Sequence, residues 1–411
     1  MGEILFIAHR IPFPPDRGDK IRSHHVLKAL AKLAPVHVAA FFDDNDDRLH
    51  EADLAAVAAS HCLVQRSKAL PMAGIESIAT GKPVSLTAFR DSRLQAYVRN
   101  VLRSRPVDAI YVFSGQMVQY VPKEFSGRVV TDLVDVDSAK FEAYGAKGSG
   151  PRAWLERREG RLMRDEEARI AAASDVTLLV SEAEAILLRS RLPNGGRDVA
   201  AVHALRNGID SDFYDPSKVV PEPQMLACGA PRIVFTGQMD YPPNVEAAKR
   251  AAERIMPRLR ERFPAAGFHV VGRNPVPVVQ ALQGRNGTEV WGRVEDIRPW
   301  LAAADIALIP LEIARGVQNK VLEAMSMGLP TVVSSQAGTG IEAEAGRDLL
   351  IADGDEDIAQ AVIRLVEDHH RAKALGEAAR EWIVANASWP AALSALPGYL
   401  GLPEESLCHA A

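Results

Sequence analysis

Asp305-Ile-Ala-Leu-Ile309 is a short apolar run. After a loop the chain reads Val317-Gln-Asn-Lys-Val-Leu-Glu-Ala-Met-Ser-Met327, then Gly328-Leu-Pro330 and Thr331-Val-Val-Ser334. The first and last runs have the length and β-branching of buried parallel strands. The segment between them predicts a helix over Val317–Met327, closed by Gly328 with Pro330 just beyond. Strand, helix, strand is the unit from which parallel sheets are built.

The same plan extends in both directions. Arg232–Thr236 reads as a strand ending at Gly237, and Asn244 as the cap of a helix with Ala248, Ala252, Ile255, Leu259 and Phe263 on one stripe. Phe268–Val271 is a strand ending at Gly272. Glu289–Trp291 and Leu349–Ile351 are further strand candidates, and Asp355 is placed as the cap of a helix carrying Ile358, Ala361, Val362, Leu365 and Val366. In the first half, Glu3–Ala8, Val36–Phe42, Ala109–Phe113, Arg128–Leu133 and Asp175–Val180 predict strands. Asp19–Leu33 predicts a helix with Val26, Leu30 and Leu33 inward and Lys20, Lys28 and Lys32 outward. Arg152–Ala173 predicts another, its six arginines interleaved with five acids, a solvated salt-bridged face.

The expected fold is therefore α/β, with two doubly wound Rossmann-like domains facing a cleft. The stretch 216–231, with Pro216, Pro221, Pro223, Gly229 and Pro231, reads as a linker between domains 1–215 and 232–385. Residues 386–411 are expected to cross back to the first domain. Ligands of open α/β sheets bind at the carboxyl ends of the strands.

Composition narrows the class. The chain has 411 residues, 47% hydrophobic and 25% charged, with net charge −5. That is enough apolar surface for globular domains and excludes disorder as the main state. Mild acidity argues against nucleic acid as a partner. Three cysteines, Cys62, Cys228 and Cys408, form no metal-ligand spacing and fit a reduced, cytoplasmic setting. No apolar stretch approaches a membrane span. Peripheral contact with the inner face of a membrane stays open.

The segment Arg315–Pro330 is the most specific for chemistry. A helix N-terminus presents unpaired N–H groups to an anion. Gly316 removes a side chain at the approach, and Lys320 and Glu323 share a face at i, i+3. A cation beside a diphosphate and a carboxylate beside a ribose diol fit there. A solvated Lys–Glu pair fits the same spacing. Asp132, Asp135 and Asp137 follow the strand Arg128–Leu133. Asp135 is placed near an acceptor hydroxyl and Asp137 as a helix cap.

Glu323-Ala-Met-Ser-Met-Gly-Leu-Pro330 resembles the C-terminal signature of family 4 retaining glycosyltransferases, which have the GT-B fold. Ser181-Glu182, Asn207-Gly208-Ile209-Asp210 and Phe235-Thr236-Gly237 fall where such enzymes have them. His9-Arg10, Pro14-Pro15-Asp16-Arg17-Gly18-Asp19-Lys20-Ile21-Arg22 and Val134-Asp135-Val136-Asp137-Ser138 resemble a subgroup associated with exosortase (PEP-CTERM) exopolysaccharide loci.

The resemblance implies transfer of a sugar, with retention, from a nucleotide-diphosphate donor of UDP or GDP type to a glycan or polyprenyl-linked acceptor. No other cofactor is expected, and no metal, since no His pair has metal-ligand spacing and Asp135-Val-Asp137 lies in the presumed acceptor domain. Glu323 would take the ribose hydroxyls, and Gly316, Val317, Gln318 and Asn319 the donor at the helix start, with Gly237, Arg273 and Arg293 around it. Gly18, Asp19 and Lys20 would form a phosphate and acceptor loop, with Asp19 as helix cap. Two departures stand out. The family's first Glu is Arg315 here, with Glu312 out of frame. The usual Arg–Lys pair after Gly237 is replaced by Gln238-Met-Asp-Tyr-Pro-Pro-Asn244. Lys320 and Arg315 would then neutralise the leaving diphosphate. A GT-B epimerase and a catalytically silent binding protein remain as rival readings.

Overall fold

In a computed structural model the described residues are 2–146, 149–193, 201–314 and 316–402, with only the backbone of residue 151. The chain divides into two compact units, Met1–Asn207 with Ala392–Ala411, and Gly208–Ala391.

Among the described residues the first unit holds seven strands: β1 (Glu3–Ala8), β2 (Val36–Phe42), β3 (Ser60–Gln65), β4 (Val107–Phe113), β5 (Arg128–Val134), β6 (Val176–Leu179) and β7 (Ala201–Ala204). Their order is β3-β2-β1-β4-β5-β6-β7, all parallel. The second holds β8 (Arg232–Thr236), β9 (Gly267–Val271), β10 (Thr288–Gly292), β11 (Ile306–Ile309), β12 (Thr331–Val333) and β13 (Leu350–Ile351), in the order β10-β9-β8-β11-β12-β13, again parallel. Both are doubly wound. In each, the strand order reverses beside the first strand, leaving a crevice at its carboxyl end. The Val, Ile and Leu runs read from the sequence are buried on both faces, as β1 and β2 show. Each fully buried aliphatic side chain there contributes about 1.5–3 kcal/mol.

The helices that matter for the site are α1 (Gly18–Leu33), α2 (Asp137–Ala146), α3 (Pro151–Ala173), α4 (Pro242–Arg250, continued to Arg262 through one wide turn at Ala251–Ile255), α5 (Asn319–Ser326), α6 (Asp355–Glu367) and α7 (His369–Trp382).

Several expectations change. The stretch 216–231 is not a free linker. Met225 is fully buried, Val219 packs on the second core, and the Glu222 amide donates to the Pro299 carbonyl at 2.9 Å. The division falls instead at Asn207–Gly208. The second unit's two ends meet: the Ile209 amide donates to the Ala387 carbonyl at 2.7 Å, and the Trp389 amide to the Ile209 carbonyl at 3.2 Å. From Ala392 the chain belongs to the first unit, where the Tyr399 carbonyl accepts from Arg128 Nε at 2.7 Å and its ring stacks on His203.

Asn244 does not cap. Pro242 starts α4 two residues earlier, the position where a missing N–H costs nothing. Asp355 lies inside the first turn of α6 and accepts from Arg250 at 2.6 Å. The acids of α3 are only partly solvated: Glu159 accepts from the amides of Val84 and Ser85, and Glu167 from the Ser138 amide, each at 2.9 Å.

Candidate functional site

Four strands of the second sheet deliver one pocket. Thr236 ends β8 and Gly237 follows it, Val271–Arg273 close β9, Arg293–Arg298 follow β10, and Val317–Glu323, after β11, run into the first turns of α5. The space is about 840 Å³, within the usual range for small-ligand sites. It lies at the topological reversal between β8 and β11.

Close approach of backbones shapes the floor. A Cβ on Gly272 would fall 1.6 Å from the Gly237 carbonyl oxygen, so no other residue fits there. Gly237 itself has φ +147°, and a Cβ on it would lie 2.9 Å from Asn244 Nδ2 and 3.1 Å from Lys320 Nζ. Gly316 has φ +66° and turns the chain into α5. That helix starts with Gln318 in the cap position and no side-chain cap, leaving its first amides for a ligand.

Lys320 is recessed in the pocket. Its Nζ donates to Asn244 Oδ1 and lies 4.9 Å above the Phe235 ring. Asn244 in turn donates to the Gln238 carbonyl at 2.9 Å, so one amide side chain fixes both the ammonium and the turn after β8. Burial pushes the Lys320 ammonium down to about 8, against a smaller upward pull from Glu323. The Tyr214 hydroxyl faces the Glu323 carboxylate and favours its charged form. Burial raises the Glu323 carboxyl, while Tyr214 and Lys320 draw it back. The Tyr214 phenol is itself raised well above the ordinary range, chiefly by burial and then by Glu323.

Positive charge around the opening comes from strand ends. Arg273 donates to Gln238 Oε1 at 3.0 Å, so the residue after Gly237 steers a cation from the next strand end. Arg293 makes no ion pair among the described residues and is exposed. Arg298 is committed: it clasps Asp296 at 2.6–3.0 Å and lies 3.6 Å over the Phe213 ring.

The structure thus gathers Gly237, Arg273, Arg293, Val317, Gln318, Asn319, Lys320 and Glu323 around one space, with Gly316 adjoining. Arg315 lies outside the described residues. Glu312 accepts from Arg254 at 2.8 Å and does not line the pocket. Tyr214 and Asn244 also line the pocket, and the sequence pattern marked neither for it. Tyr214 sits in a loop with no periodicity, and Asn244 reads as a cap.

The first-unit candidates are built differently. Lys20, expected outward, is 1% exposed and donates to Asp47 and to the Phe13 carbonyl. Asp19 is not a cap; Arg17 occupies that position without a capping bond. Its carboxylate accepts from Arg10 Nη1 at 2.5 Å and meets His9 Nε2 at 3.1 Å, which hold it well below the usual carboxylate range against the upward push of burial. Gly18 is exposed, and a Cβ there would meet nothing within 4 Å, so this unit does not itself demand glycine. Asp132 is fully buried and takes Arg22 Nε at 2.8 Å, Arg22 Nη2 at 3.1 Å, Tyr111 at 2.9 Å and the Val134 amide at 3.1 Å. Val134 has φ +69°, rare for a β-branched residue. That turn presents Asp135, 37% exposed, which Lys140 reaches at 2.8 Å; Lys140 also reaches Asp137 at 3.3 Å. Among the described residues no cluster of three or more His, Cys, Asp or Glu has metal-binding geometry.

Comparisons with known proteins agree with this geometry. Residues 230–368 match the family described as glycosyl transferases group 1. The GDP-mannose-dependent alpha-(1-6)-phosphatidylinositol monomannoside mannosyltransferase of Mycobacterium tuberculosis is 26% identical over 255 residues, 56% of this chain and 63% of that protein. The alpha-maltose-1-phosphate synthase of Mycolicibacterium smegmatis is 29% identical over 213 residues, 47% of this chain and 54% of that one. The chain therefore spans somewhat under two thirds of the length of these curated relatives. Anabaena HepE, crystallised with UDP, superposes with a TM-score of 0.60 at 15% identity, over 97% of this chain and 99% of that one. Two parallel-sheet Rossmann-like units give this chain the GT-B fold, and residues 230–368 of the second resemble the glycosyl transferases group 1 family.

Proposed function

We propose that the protein transfers a sugar from a nucleotide-diphosphate donor, of UDP or GDP type, to a glycan or lipid-linked acceptor with retention of configuration. One observation carries the reading: the uncapped start of α5 and the recessed Lys320 converge on the same space as Glu323 and Gly237. An ammonium pushed down to about 8 gains most from an arriving anion, because the anion restores the charge that burial opposes. The diphosphate would sit at the helix start and Lys320, the ribose at Glu323. Negative charge grows on the leaving diphosphate in the transition state, so a fixed cation there lowers the barrier more than it tightens binding. Asp135, on the turn after β5, is the acceptor-side candidate. Names of the relatives support the donor class. A role in exopolysaccharide assembly rests on the resemblance of His9-Arg10, Pro14–Arg22 and Val134–Ser138.

The test is turnover by the purified protein with a panel of UDP- and GDP-sugars and glycan or polyprenyl phosphate acceptors, read by mass spectrometry, with the product anomer assigned by NMR. Transfer with retention is expected. An altered free nucleotide sugar would mark an epimerase, and tight binding without turnover a silent protein. Absence of nucleotide binding would overturn the reading.

A further inference from the structure

The helix Leu70–Thr80 of the first unit, Leu-Pro-Met-Ala-Gly-Ile-Glu-Ser-Ile-Ala-Thr, has the wrong side outward for a protein in water. Only Ala73 and Ser77 are buried, while Leu70, Met72, Ile75 and Ile78 are each 64–70% exposed. Its one charged residue, Glu76, is neutralised by Lys68 at 2.6 Å and Arg90 at 3.1 Å. Scattered exposed apolar residues are ordinary, but four on one 11-residue helix are not.

Neighbouring elements extend the feature. Arg158 of α3 donates to Ser77 Oγ at 2.9 Å and to its carbonyl at 3.0 Å, and Glu159 caps the following turn. Trp154 and Leu155 lie one turn before these two on the same faces of α3, and are 54% and 44% exposed. Just past the helix, the Lys82 carbonyl accepts from Ser77 Oγ at 2.5 Å. There Lys82, Arg99, Lys123 and Arg169 line a separate pocket of about 510 Å³. Its acids are Glu124 and Glu166, and Glu166 is tied to Arg169 at 2.5–2.8 Å. Arg99 and Lys123 make no ion pair among the described residues.

We infer that this face docks on an anionic phospholipid surface. The helix would lie in the interface with Leu70, Met72, Ile75 and Ile78 among the acyl chains, and the cationic pocket would take phosphate headgroups. Charge and shape select the occupant. Isolated aliphatic side chains on a protruding helix suit a fluid apolar phase, and uncompensated cations beside them suit its phosphate border. Among the described residues no helix is long and apolar enough to cross a membrane, so attachment would be to one leaflet.

The test is co-sedimentation of the full chain with phosphatidylcholine vesicles and with vesicles containing 30% (about one lipid in three) phosphatidylglycerol. Binding to the anionic vesicles, weakened at least tenfold in 0.5 M (roughly 3 Å Debye length or slightly more) sodium chloride, is expected. Met72→Ser with Ile75→Ser and Ile78→Ser, all at exposed positions, should weaken it at least tenfold while the thermal melt stays unchanged. Arg99→Gln with Lys123→Gln should reduce the preference for anionic lipid and leave residual binding. Equal binding of wild type and the triple variant overturns the proposal. So does a wild-type dimer in solution that the triple variant abolishes, which would assign the face to a second copy.

Discussion

At the scale of single residues, Lys320 and Glu323 are three positions apart and burial shifts them in opposite directions. Lys320 is depressed by burial and pinned by Asn244. Glu323 is raised by burial and drawn back by Tyr214. Glu323→Gln keeps the shape and loses the charge-assisted acceptor, so donor affinity measured by calorimetry should fall by about 1–3 kcal/mol. Lys320→Ala should lower kcat by roughly a hundred- to thousandfold, with a smaller change in KM, and chelator should leave the wild type unaffected. The pH dependence follows from the sign of the shift. A bound diphosphate raises the Lys320 pKa above its free value of about 8. Affinity is then fully present below about pH 8, and the donor Kd should rise by up to about tenfold per pH unit above it. Stability of the ligand-free protein runs the other way. The folded state holds this lysine less strongly protonated than the unfolded chain does, so this group adds stability between about pH 8 and pH 10. Opposite slopes for binding and for melting, both absent in Lys320→Ala, are the signature to measure.

At the scale of elements, one side chain of α1 reaches across the first sheet to the ends of β5 and β7. Arg22 is 1% exposed and spans from Asp132 at the end of β5 to the Leu205 carbonyl at 2.7 Å and Asn207 at 2.9 Å beyond β7. Arg22→Ala leaves a fully buried carboxylate without its counter-charge and should cost about 3–5 kcal/mol in urea denaturation. Arg22→Lys should recover only part, since one ammonium cannot replace the guanidinium fork. These long-range ties mark the boundary of what the sequence made legible. Central strands declared themselves because runs such as Ile4–Ala8 and Ala109–Phe113 are apolar on both faces. The edge strand Ser60–Gln65 carries polar side chains and is mostly half-exposed, so it has no such pattern. Asn244 before an apolar stripe has the composition of a cap, and only Pro242 as the first helical residue shows otherwise. Lys20 falls on a periodicity that predicts solvent. Its partner Asp47 is 27 residues away, and nothing local announces it. The pocket of the second unit was legible through its glycines and through the Lys–Glu spacing. Tyr214 was not, because a tyrosine in a loop acquires meaning only from what folds against it.

At the scale of the whole molecule, the pocket belongs entirely to Gly208–Ala391. A nucleotide that binds there stabilises that unit directly, by RT ln(1 + [L]/Kd), about 2.7 kcal/mol at 100 Kd. Scanning calorimetry with UDP or GDP should therefore raise the transition of the second unit and move that of the first less. Two transitions displaced equally would mean that the units melt as one. The chain path gives these units a second kind of inequality. The second is one unbroken segment whose ends meet at Ile209 and Ser388. The first is left at Asn207 and resumed only at Ala392, where Tyr399 covers Arg128 and His203. On the ribosome the first unit is begun before the second and finished after it. At roughly 5–20 residues per second it must wait on the order of ten seconds or more, its last strands lacking their C-terminal cover, while the other is made and can close. A stop codon after Ala391 would thus release the second unit whole, its pocket already formed, while the first still lacked its C-terminal segment.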